Sequence, residues 1–552
     1  MTGACSTKYG RRAAALKWAR HFKFLGKRLR LLIVLCGLAA LPVRAQETEW
    51  QEAHDQIQKL NDAGRYSESL PLAINNLQYA KDHFGLNQPD TATSLGDLAE
   101  VNLFMGQYSD AELLLRQALD MTDKAIGTNN GRAAGLMNDL GYMYLSQGEY
   151  HEAEPLLRRA MDILKTSPAS AKQEGLLLAT MNNVAVVEEQ EGKFPEAEQH
   201  FQDLTDRKEK AFGPDDPGTL AAAHNLARVY GEEAKFTEAI ATEERVIASW
   251  ERTLGPNHPH VAIALDELAR IYWRQGKFEE AEGLYKRALA ISETVLGPDH
   301  PDVAMELSDL AHVAMSKAEF GKARLLLERA VAIEQKSLPA DSVILASTLG
   351  ALGDVNFQTE RYDDAEVQYR QVLTIVKAAL GGEHPRVAAA LGNLSNIASR
   401  RGDIATATEL AEQCLEINEK AFGPEHPAVG MALSNLAYLH IQKGEFAKAE
   451  ILLLRYLEMA KQMFGPQHPE VGMTLDHLAQ VYCKEKKYAA ADPVSAEAVA
   501  IVKLSLGTDH PAVAGALQTR AQVLRGLGRN EEADAADEEA EQVLARHAQR
   551  NP

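Results

Sequence analysis

The sequence predicts an all-α protein built as a solenoid of about twelve helical hairpins. Apolar side chains recur at i, i+3, i+4 and i+7 from Leu265 to Tyr272 and again from Ala281 to Ala288, a spacing that places them on one face of a helix. Gly276 lies between the two runs and predicts a tight turn, because a residue without Cβ adopts left-handed backbone at little cost. This hairpin recurs along the chain with a period of 42 residues, which is typical of a solenoid.

The period is marked by a bulky residue at the turn inside each hairpin. Equivalents of Phe278 recur every 42 residues, except that the step from Tyr150 to Phe194 is 44. A small residue follows three positions later, which predicts a close helix crossing where a larger side chain would force the helices apart. These small residues are Ser69, Ala111, Ala153, Ala197, Ala239, Ala281, Ala323, Ala365, Ala407, Ala449, Ala491 and Ala533.

The linkers between hairpins carry helix stop and start signals. Gly255 is predicted to close one helix, and Pro259 suits the first turn of the next, where its missing N–H costs nothing. A histidine directly precedes the proline in many linkers, and Asp216 and Asp341 stand near this place in others. Metal ligands must converge on one point, so one histidine per repeat predicts helix capping rather than metal binding. These histidines are His258, His300, His384, His426, His468 and His510.

Residues 46–552 are predicted to form one continuous array of hairpins. The first hairpin lacks the usual linker, and in the last Arg520 stands where Leu268 would be, so both are expected to cap the array with a more polar face. The predicted hairpins span about residues 47–84, 87–126, 128–165, 173–212, 215–254, 257–296, 299–338, 341–380, 383–422, 425–464, 467–506 and 509–548.

Residues 1–45 have the composition of an export signal. They carry ten Lys or Arg and no Asp or Glu, and residues 31–43 form an apolar run of thirteen. This run is short for a membrane span, which needs about twenty residues, and Ala45 suits a signal peptidase site. We expect a cleaved signal peptide at 1–45 and export to a bacterial periplasm or out of the cell. The alternative is an uncleaved leader that anchors the protein in the membrane.

The charge of the chain limits its partners. The net charge is −20, and because the leader contributes +10, the remainder stands near −30. An acidic surface argues against sequence-independent nucleic-acid binding and favours solubility or a basic partner. The sequence also contains no phosphate loop, no His-Glu-x-x-His and no nucleophile elbow. We therefore predict no catalytic residue, no cofactor and no metal site.

The run of Leu268, Ala269, Tyr272, Gly276, Phe278 and Ala281 resembles the signature of the tetratricopeptide repeat. The 42-residue period and the Gly-Pro-x-His-Pro linkers at 255–259, 297–301 and 423–427 are similar to those of kinesin light chains. The resemblance implies a right-handed α-α superhelix that binds proteins or peptides without catalysis. It does not identify the partner, since such repeats serve many unrelated functions.

In this family the first helix of each hairpin lines the concave face, so polar residues on these helices are candidate binding residues. They form two columns, eleven and eight residues before each turn residue. An Asn amide both donates and accepts, so it can bind a peptide main chain, whereas Arg228 and Arg270 suit a carboxylate. The alternative is that these side chains bond to neighbouring helices and hold the superhelix in shape. The candidates are Asp97, Asp139, Asn183, Asn225, Arg228, Glu267, Arg270, Asp309, Asn393, Asn396, Asn435 and Tyr438.

We therefore expect an exported scaffold that binds a protein or peptide partner through its concave face. The alternative function is a structural or assembly component of the bacterial cell envelope that uses its outer faces.

Overall fold

The computed structural model describes residues 43–166 and 170–550. Within these residues the chain forms 24 helices and no strand, which confirms the all-α prediction. The predicted signal peptide lies outside the described residues, except that Val43 to Ala45 form the start of the first helix.

The chain divides into two compact units, Met1–Val313 and Ala314–Pro552, here called the N-terminal unit and the C-terminal unit. Helices up to the boundary are α1 Val43–Asp62, α2 Tyr66–His83, α3 Pro89–Phe104, α4 Tyr108–Ile126, α5 Gly131–Gln147, α6 Tyr150–Thr166, α7 Ala171–Gln190, α8 Phe194–Phe212, α9 Pro217–Glu232, α10 Phe236–Leu254, α11 Pro259–Arg274, α12 Phe278–Leu296 and α13 Pro301–Ser316, within which the boundary falls. The others are α14 Phe320–Ser337, α15 Val343–Gln358, α16 Tyr362–Leu380, α17 Pro385–Arg400, α18 Ile404–Phe422, α19 Pro427–Lys443, α20 Phe446–Phe464, α21 Pro469–Lys484, α22 Tyr488–Leu506, α23 Pro511–Gly526 and α24 Asn530–Arg550.

The linker histidines cap the first helices, as predicted. The Nδ1 atom of His258 accepts a hydrogen bond from the backbone N–H of His260 at 3.2 Å, and the other five histidines make the equivalent bond at 3.1–3.3 Å. Asp216 replaces the histidine in one repeat and accepts from two backbone N–H groups. The expectation for Asp341 is wrong, because the residue that precedes α15 is Ser342, which makes no side-chain cap bond.

The small residue after each turn lies at a close crossing. All eleven alanines of this column and Ser69 have 0% exposure, which leaves no room for a larger side chain. Gly276 at the turn and Gly255 at the linker adopt positive φ angles of 76° and 92°, as their roles require.

First helices pack against the second helix of their own hairpin and against that of the hairpin before it. In the N-terminal unit α3 contacts both α2 and α4, and in the C-terminal unit α19 contacts both α18 and α20. The second helices thus space the first helices one repeat apart, and residues at the same position of successive first helices become neighbours. This arrangement places the two polar columns side by side within each unit.

Candidate protein-interaction site

Asp97 on α3 is the first residue of the predicted columns, and it is bonded to the hairpin before it. His54 Nδ1 lies 2.7 Å from one carboxylate oxygen of Asp97, and Gln58 donates to the other at 3.0 Å. The bond to Asp97 raises the pKa of His54, although burial opposes the shift. Asp97 is 4% exposed, so it joins α1 to α3 rather than facing an open surface.

Asn183 and Asn225 bond in the same way across hairpin boundaries. The amide of Asn183 donates to Asn138 at 3.0 Å, and the amide of Asn225 donates to Asn182 at 3.3 Å. The first bond joins α7 to α5, and the second joins α9 to α7. These amides use part of their hydrogen-bonding capacity to hold successive first helices together.

Asp139 and Asp309 are carboxyls whose surroundings disfavour the charged form. Burial, aided by the charges of Glu100 and Asp97 and opposed by the bond from Asn138, raises the pKa of Asp139 to about 7. Burial also raises the pKa of Asp309 to about 7, while the charge of Arg270 opposes the shift. Near neutral pH a substantial fraction of each group is therefore protonated, and a protonated carboxyl can donate a hydrogen bond.

Arg228 makes a bidentate ion pair with a carboxylate of its own chain. Its Nε and Nη2 atoms lie 2.8 and 2.6 Å from the two carboxylate oxygens of Glu189. The Glu189 side chain is fully buried, and the Arg228 side chain is 13% exposed. Two parallel bonds in a water-poor site make this a strong contact between α9 and α7.

Arg270 lies in a second ion-pair network. Its Nη1 atom is 2.7 Å from Glu232, and its Nε atom donates to Glu267 at 3.1 Å. Arg274 binds the other oxygen of Glu232 at 2.6 Å. Burial alone would raise the pKa of Glu267, but Arg270 lowers it overall. The sequence predicts that Arg228 and Arg270 bind a carboxylate of a ligand. In the structure, carboxylates of the chain itself take that place.

The corresponding residues of hairpins nine and ten are different, because their side chains are open. Asn393 is half-buried on α17, and Asn396 and Asn435 are exposed on α17 and α19. None of the three has a hydrogen-bond partner among the described residues. Tyr438 is 53% exposed and Met431 is 61% exposed. We call Asn393, Asn396, Met431, Asn435 and Tyr438 the amide patch.

The amide patch combines polar and apolar groups on two adjacent repeats. Met431, Asn435 and Tyr438 stand at i, i+4 and i+7 and therefore share one face of α19. On one side of the patch Asp354 accepts a bond from the Tyr369 hydroxyl at 2.6 Å. On the other side Gln480 donates to Asp476 at 2.8 Å. The unbonded amides are thus flanked by side chains that bond to other residues of the chain.

The sequence reasoning missed the residues that pair with the columns of the N-terminal unit. Glu189 lies 39 residues before Arg228, and Glu232 lies 38 residues before Arg270. Such pairs could be predicted from opposite charges that are slightly less than one repeat apart in the sequence. At this separation the two side chains lie on adjacent first helices and face each other. A single column does not reveal these pairs, because the two charges lie in neighbouring repeats and in different columns.

Within the part of the chain that the structure describes, no three or more His, Cys, Asp or Glu side chains are grouped so that they could hold a metal ion. Among the helices of residues 43–166 and 170–550, none combines the length and the apolar character that a membrane crossing requires.

Family models identify the repeats of this chain. A tetratricopeptide repeat model matches residues 60–124, 176–251, 235–294, 267–336, 344–420, 400–462 and 464–546, and a second such model matches 133–166. No curated protein matches the chain.

Two solved structures of a Podosopora anserina protein described as a kinesin light chain with nearly identical TPR-like repeats are similar to part of this chain. One of them, a variant, is 30% identical over 36% of this chain and 95% of its own, with a TM-score of 0.34. The other is 29% identical over 38% and 98%, with a TM-score of 0.35. BtubC (BKLC) from P. vanneervenii is 18% identical over 43% and 91%, with a TM-score of 0.34.

The prediction of tetratricopeptide repeats is confirmed, and part of the array is similar in sequence to a protein described as a kinesin light chain. Such repeats indicate a protein-interaction scaffold, and proteins of this fold are typically non-catalytic. The chain belongs to the tetratricopeptide repeat family.

Proposed function

We propose that this protein is an exported scaffold that binds an extended segment of a partner protein at the amide patch. The observation that carries the proposal is the set of unpartnered amides on α17 and α19, within a family that binds proteins. An extended main chain offers one N–H and one C=O at each residue, and Asn393, Asn396 and Asn435 can bond to both.

The apolar members of the patch add affinity to this main-chain recognition. Met431 and Tyr438 lie on either side of Asn435 on the same helical face and expose more than half of their surface. Covering such side chains with an apolar group of the ligand removes apolar area from water. A tyrosine also offers a rigid ring and a hydroxyl, a combination that is common at protein interfaces. The best ligand is therefore an extended segment with at least one apolar side chain.

The test is the double variant Asn393→Ala/Asn435→Ala in the full chain. Each lost amide bond should cost about 0.5–1.5 kcal/mol, so the two together should weaken partner binding about tenfold or more. Affinity is measured by calorimetry against the partner segment that co-purifies with the wild-type protein. Gln358→Ala is the matched control, because Gln358 is an exposed amide on α15 outside the patch. A double variant that binds as tightly as the Gln358→Ala protein would refute the proposal.

We also propose that residues 1–45 direct export and are removed. The support is compositional, since a basic leader precedes a short apolar run and a small residue at the cleavage position. Amino-terminal sequencing of the native protein should give a terminus at or near Gln46, in a periplasmic or secreted fraction. Native protein that retains Met1 in the cytosolic fraction would contradict export.

A second candidate function uses the second helices. Leu325, Val367 and Ile451 occupy the same repeat position on α14, α16 and α20, and they are 64%, 55% and 67% exposed. A repeated apolar position of this kind suits contact with large subunits in an envelope assembly. Charged substitutions such as Val367→Glu and Ile451→Glu would then release co-purifying subunits, while changes in the amide patch would not.

A further inference from the structure

A cavity of about 320 Å³ lies between α10, α11 and α12 in the N-terminal unit. Its apolar floor comes from Leu268, Tyr272 and Leu284. Glu244 and Glu280 lie at its rim. The cavity therefore combines a flat aromatic ring, two aliphatic side chains and carboxylates.

An exposed glycine of α12, Gly283, lies at the edge of the cavity. A Cβ atom added to Gly283 would meet no atom within 4 Å, so the space beside it is empty of protein. Other hairpins carry a large side chain at the same repeat position, namely Leu113, Leu325 and Ile451. Gly283 thus leaves a space that a side chain occupies elsewhere in the array.

The charges around the cavity favour a cation. Glu244 and Glu280 make no ion pair with any described residue. Glu244 and Glu280 line the same cavity as Tyr272, and burial together with the charges of these two carboxylates raises the pKa of Tyr272. The Lys277 ammonium lies 5.3 Å from the ring centroid but does not line the cavity.

The repeat itself shows which cation fits this place. Glu244 lies eight residues after the turn residue of its hairpin. At the same repeat position α4 has Arg116 and α6 has Arg158. Arg116 donates to the hydroxyl of Tyr144 at 2.6 Å, and Tyr144 is the equivalent of Tyr272.

Arg158 confirms the pattern one repeat later. Arg158 donates to Glu188 at 2.8 Å. Glu188 belongs to the next hairpin and occupies the same repeat position as Tyr272. In two other hairpin pairs, therefore, an arginine of the chain lies against this position. Next to Tyr272, the chain has the carboxylate of Glu244 in place of this arginine.

We propose that this cavity receives an arginine side chain from a protein partner. The guanidinium lies against the Tyr272 ring between Glu244 and Glu280, and the aliphatic stem covers Leu268 and Leu284. Arginine fits better than lysine, because its planar group stacks on an aromatic ring while its N–H groups bond to carboxylates at the edge. The apolar floor suits the methylene stem, which buries well even when the charged end stays near water. This site is independent of the amide patch, since none of its residues lies on α17 or α19.

The test uses N-acetyl-arginine amide as the probe and the methyl NMR resonances of Leu268 and Leu284 in the full chain as the readout. A single exposed side chain binds weakly, so we expect saturable shifts with a Kd on the order of 1 mM. The citrulline analogue has the same shape without the charge, and it should bind about threefold more weakly or worse. Absence of saturable shifts, or equal shifts with citrulline, would overturn the proposal.

Variants at the cavity separate specific binding from attraction to an acidic surface. Gly283→Leu fills the space and should weaken binding about tenfold, and because leucine is a better helix former than glycine, α12 should remain folded. Gly321→Leu is the matched control, since Gly321 is also an exposed helical glycine with no atom near its Cβ position. Glu244→Gln should weaken binding about threefold. A Gly283→Leu protein that binds the probe as well as the Gly321→Leu protein would show that the cavity is not the site.

Discussion

The same repeat positions serve different purposes in the two units. In the N-terminal unit Arg228 and Arg270 are bound to carboxylates of neighbouring repeats, and Asn225 donates to an amide of the preceding hairpin. In the C-terminal unit Asn393 and Asn435, at the position of Asn225, and Asn396, at the position of Arg228, have no hydrogen-bond partner among the described residues. A column position in this fold is thus free to bind a partner only where the adjacent repeat leaves it unsatisfied.

This difference follows from elementary energetics. A buried charge without a partner costs several kcal/mol, so a repeat that places an arginine inside must supply a carboxylate nearby. A neutral amide at a half-exposed position has no such requirement, because water satisfies it until a ligand arrives. The charged column residues of the N-terminal unit therefore stabilise the array, whereas a neutral amide of the same columns can stay unbonded, as Asn435 does.

The largest effect is expected from breaking the buried pair between Arg228 and Glu189. Arg228→Met removes the cation and leaves the fully buried carboxylate of Glu189 without its bidentate partner. We expect the N-terminal unit to lose about 3–5 kcal/mol of unfolding free energy. Urea unfolding followed by circular dichroism measures the loss.

The control for this prediction removes both charges. Arg228→Met/Glu189→Leu replaces the pair by apolar side chains of similar volume and should recover most of the stability. If the single variant unfolds at the wild-type urea concentration, the ion pair does not hold α9 to α7.

A smaller effect of opposite sign is expected at Asp139, and it depends on pH. Burial raises the folded-state pKa from 3.8 to about 7, so the folded protein holds this proton more tightly than the unfolded chain. The stabilisation is complete below pH 3.8 and is lost as the pH rises through about 7. Asp139→Asn cannot ionise and should be more stable than wild type at pH 8 by about 1–2 kcal/mol, since solvent partly screens a half-buried group.

Thermal unfolding at pH 4 and pH 8 measures this dependence. The gain should be present at pH 8 and absent or reversed at pH 4. Asp162→Asn, an exposed substitution on α6, controls for the general change in net charge. An Asp139→Asn protein with the same stability difference from wild type at both pH values would show that this carboxyl is not held in its neutral form.

The fold could be predicted from the sequence because it is dictated locally and repeated. Local geometry explains the glycine at the turn, the proline after the capping histidine and the alanine at the crossing. Because these residues recur along the array, each repeat gives independent support for the same interpretation. His258 illustrates this point, since its capping bond follows from its position before Pro259 alone.

The site could be predicted only in part, because the state of each column residue depends on its neighbours. The sequence predicts that both Arg228 and Asn435 lie on first helices. It does not show which of the two side chains is bonded to another residue of the chain. That distinction needs the distance between Arg228 and Glu189, two residues on different hairpins. Pairing within a repeat follows from helical spacing, whereas pairing between repeats depends on how the hairpins pack.

The smallest predicted effect compares one amide from each unit directly. Asn225→Ala removes the bond to Asn182, so the N-terminal unit should lose about 0.5–1.5 kcal/mol of unfolding free energy. Asn435→Ala removes an exposed amide without a partner, and a surface change of this kind should alter stability by less than about 0.5 kcal/mol. The two variants carry the same substitution at the same repeat position, which makes each the control for the other. Urea unfolding of both proteins, with partner binding measured in parallel, tests the comparison. Equal losses of stability would show that Asn435 also holds its neighbouring helix, and the amide patch would then be part of the scaffold rather than a surface kept open for a ligand.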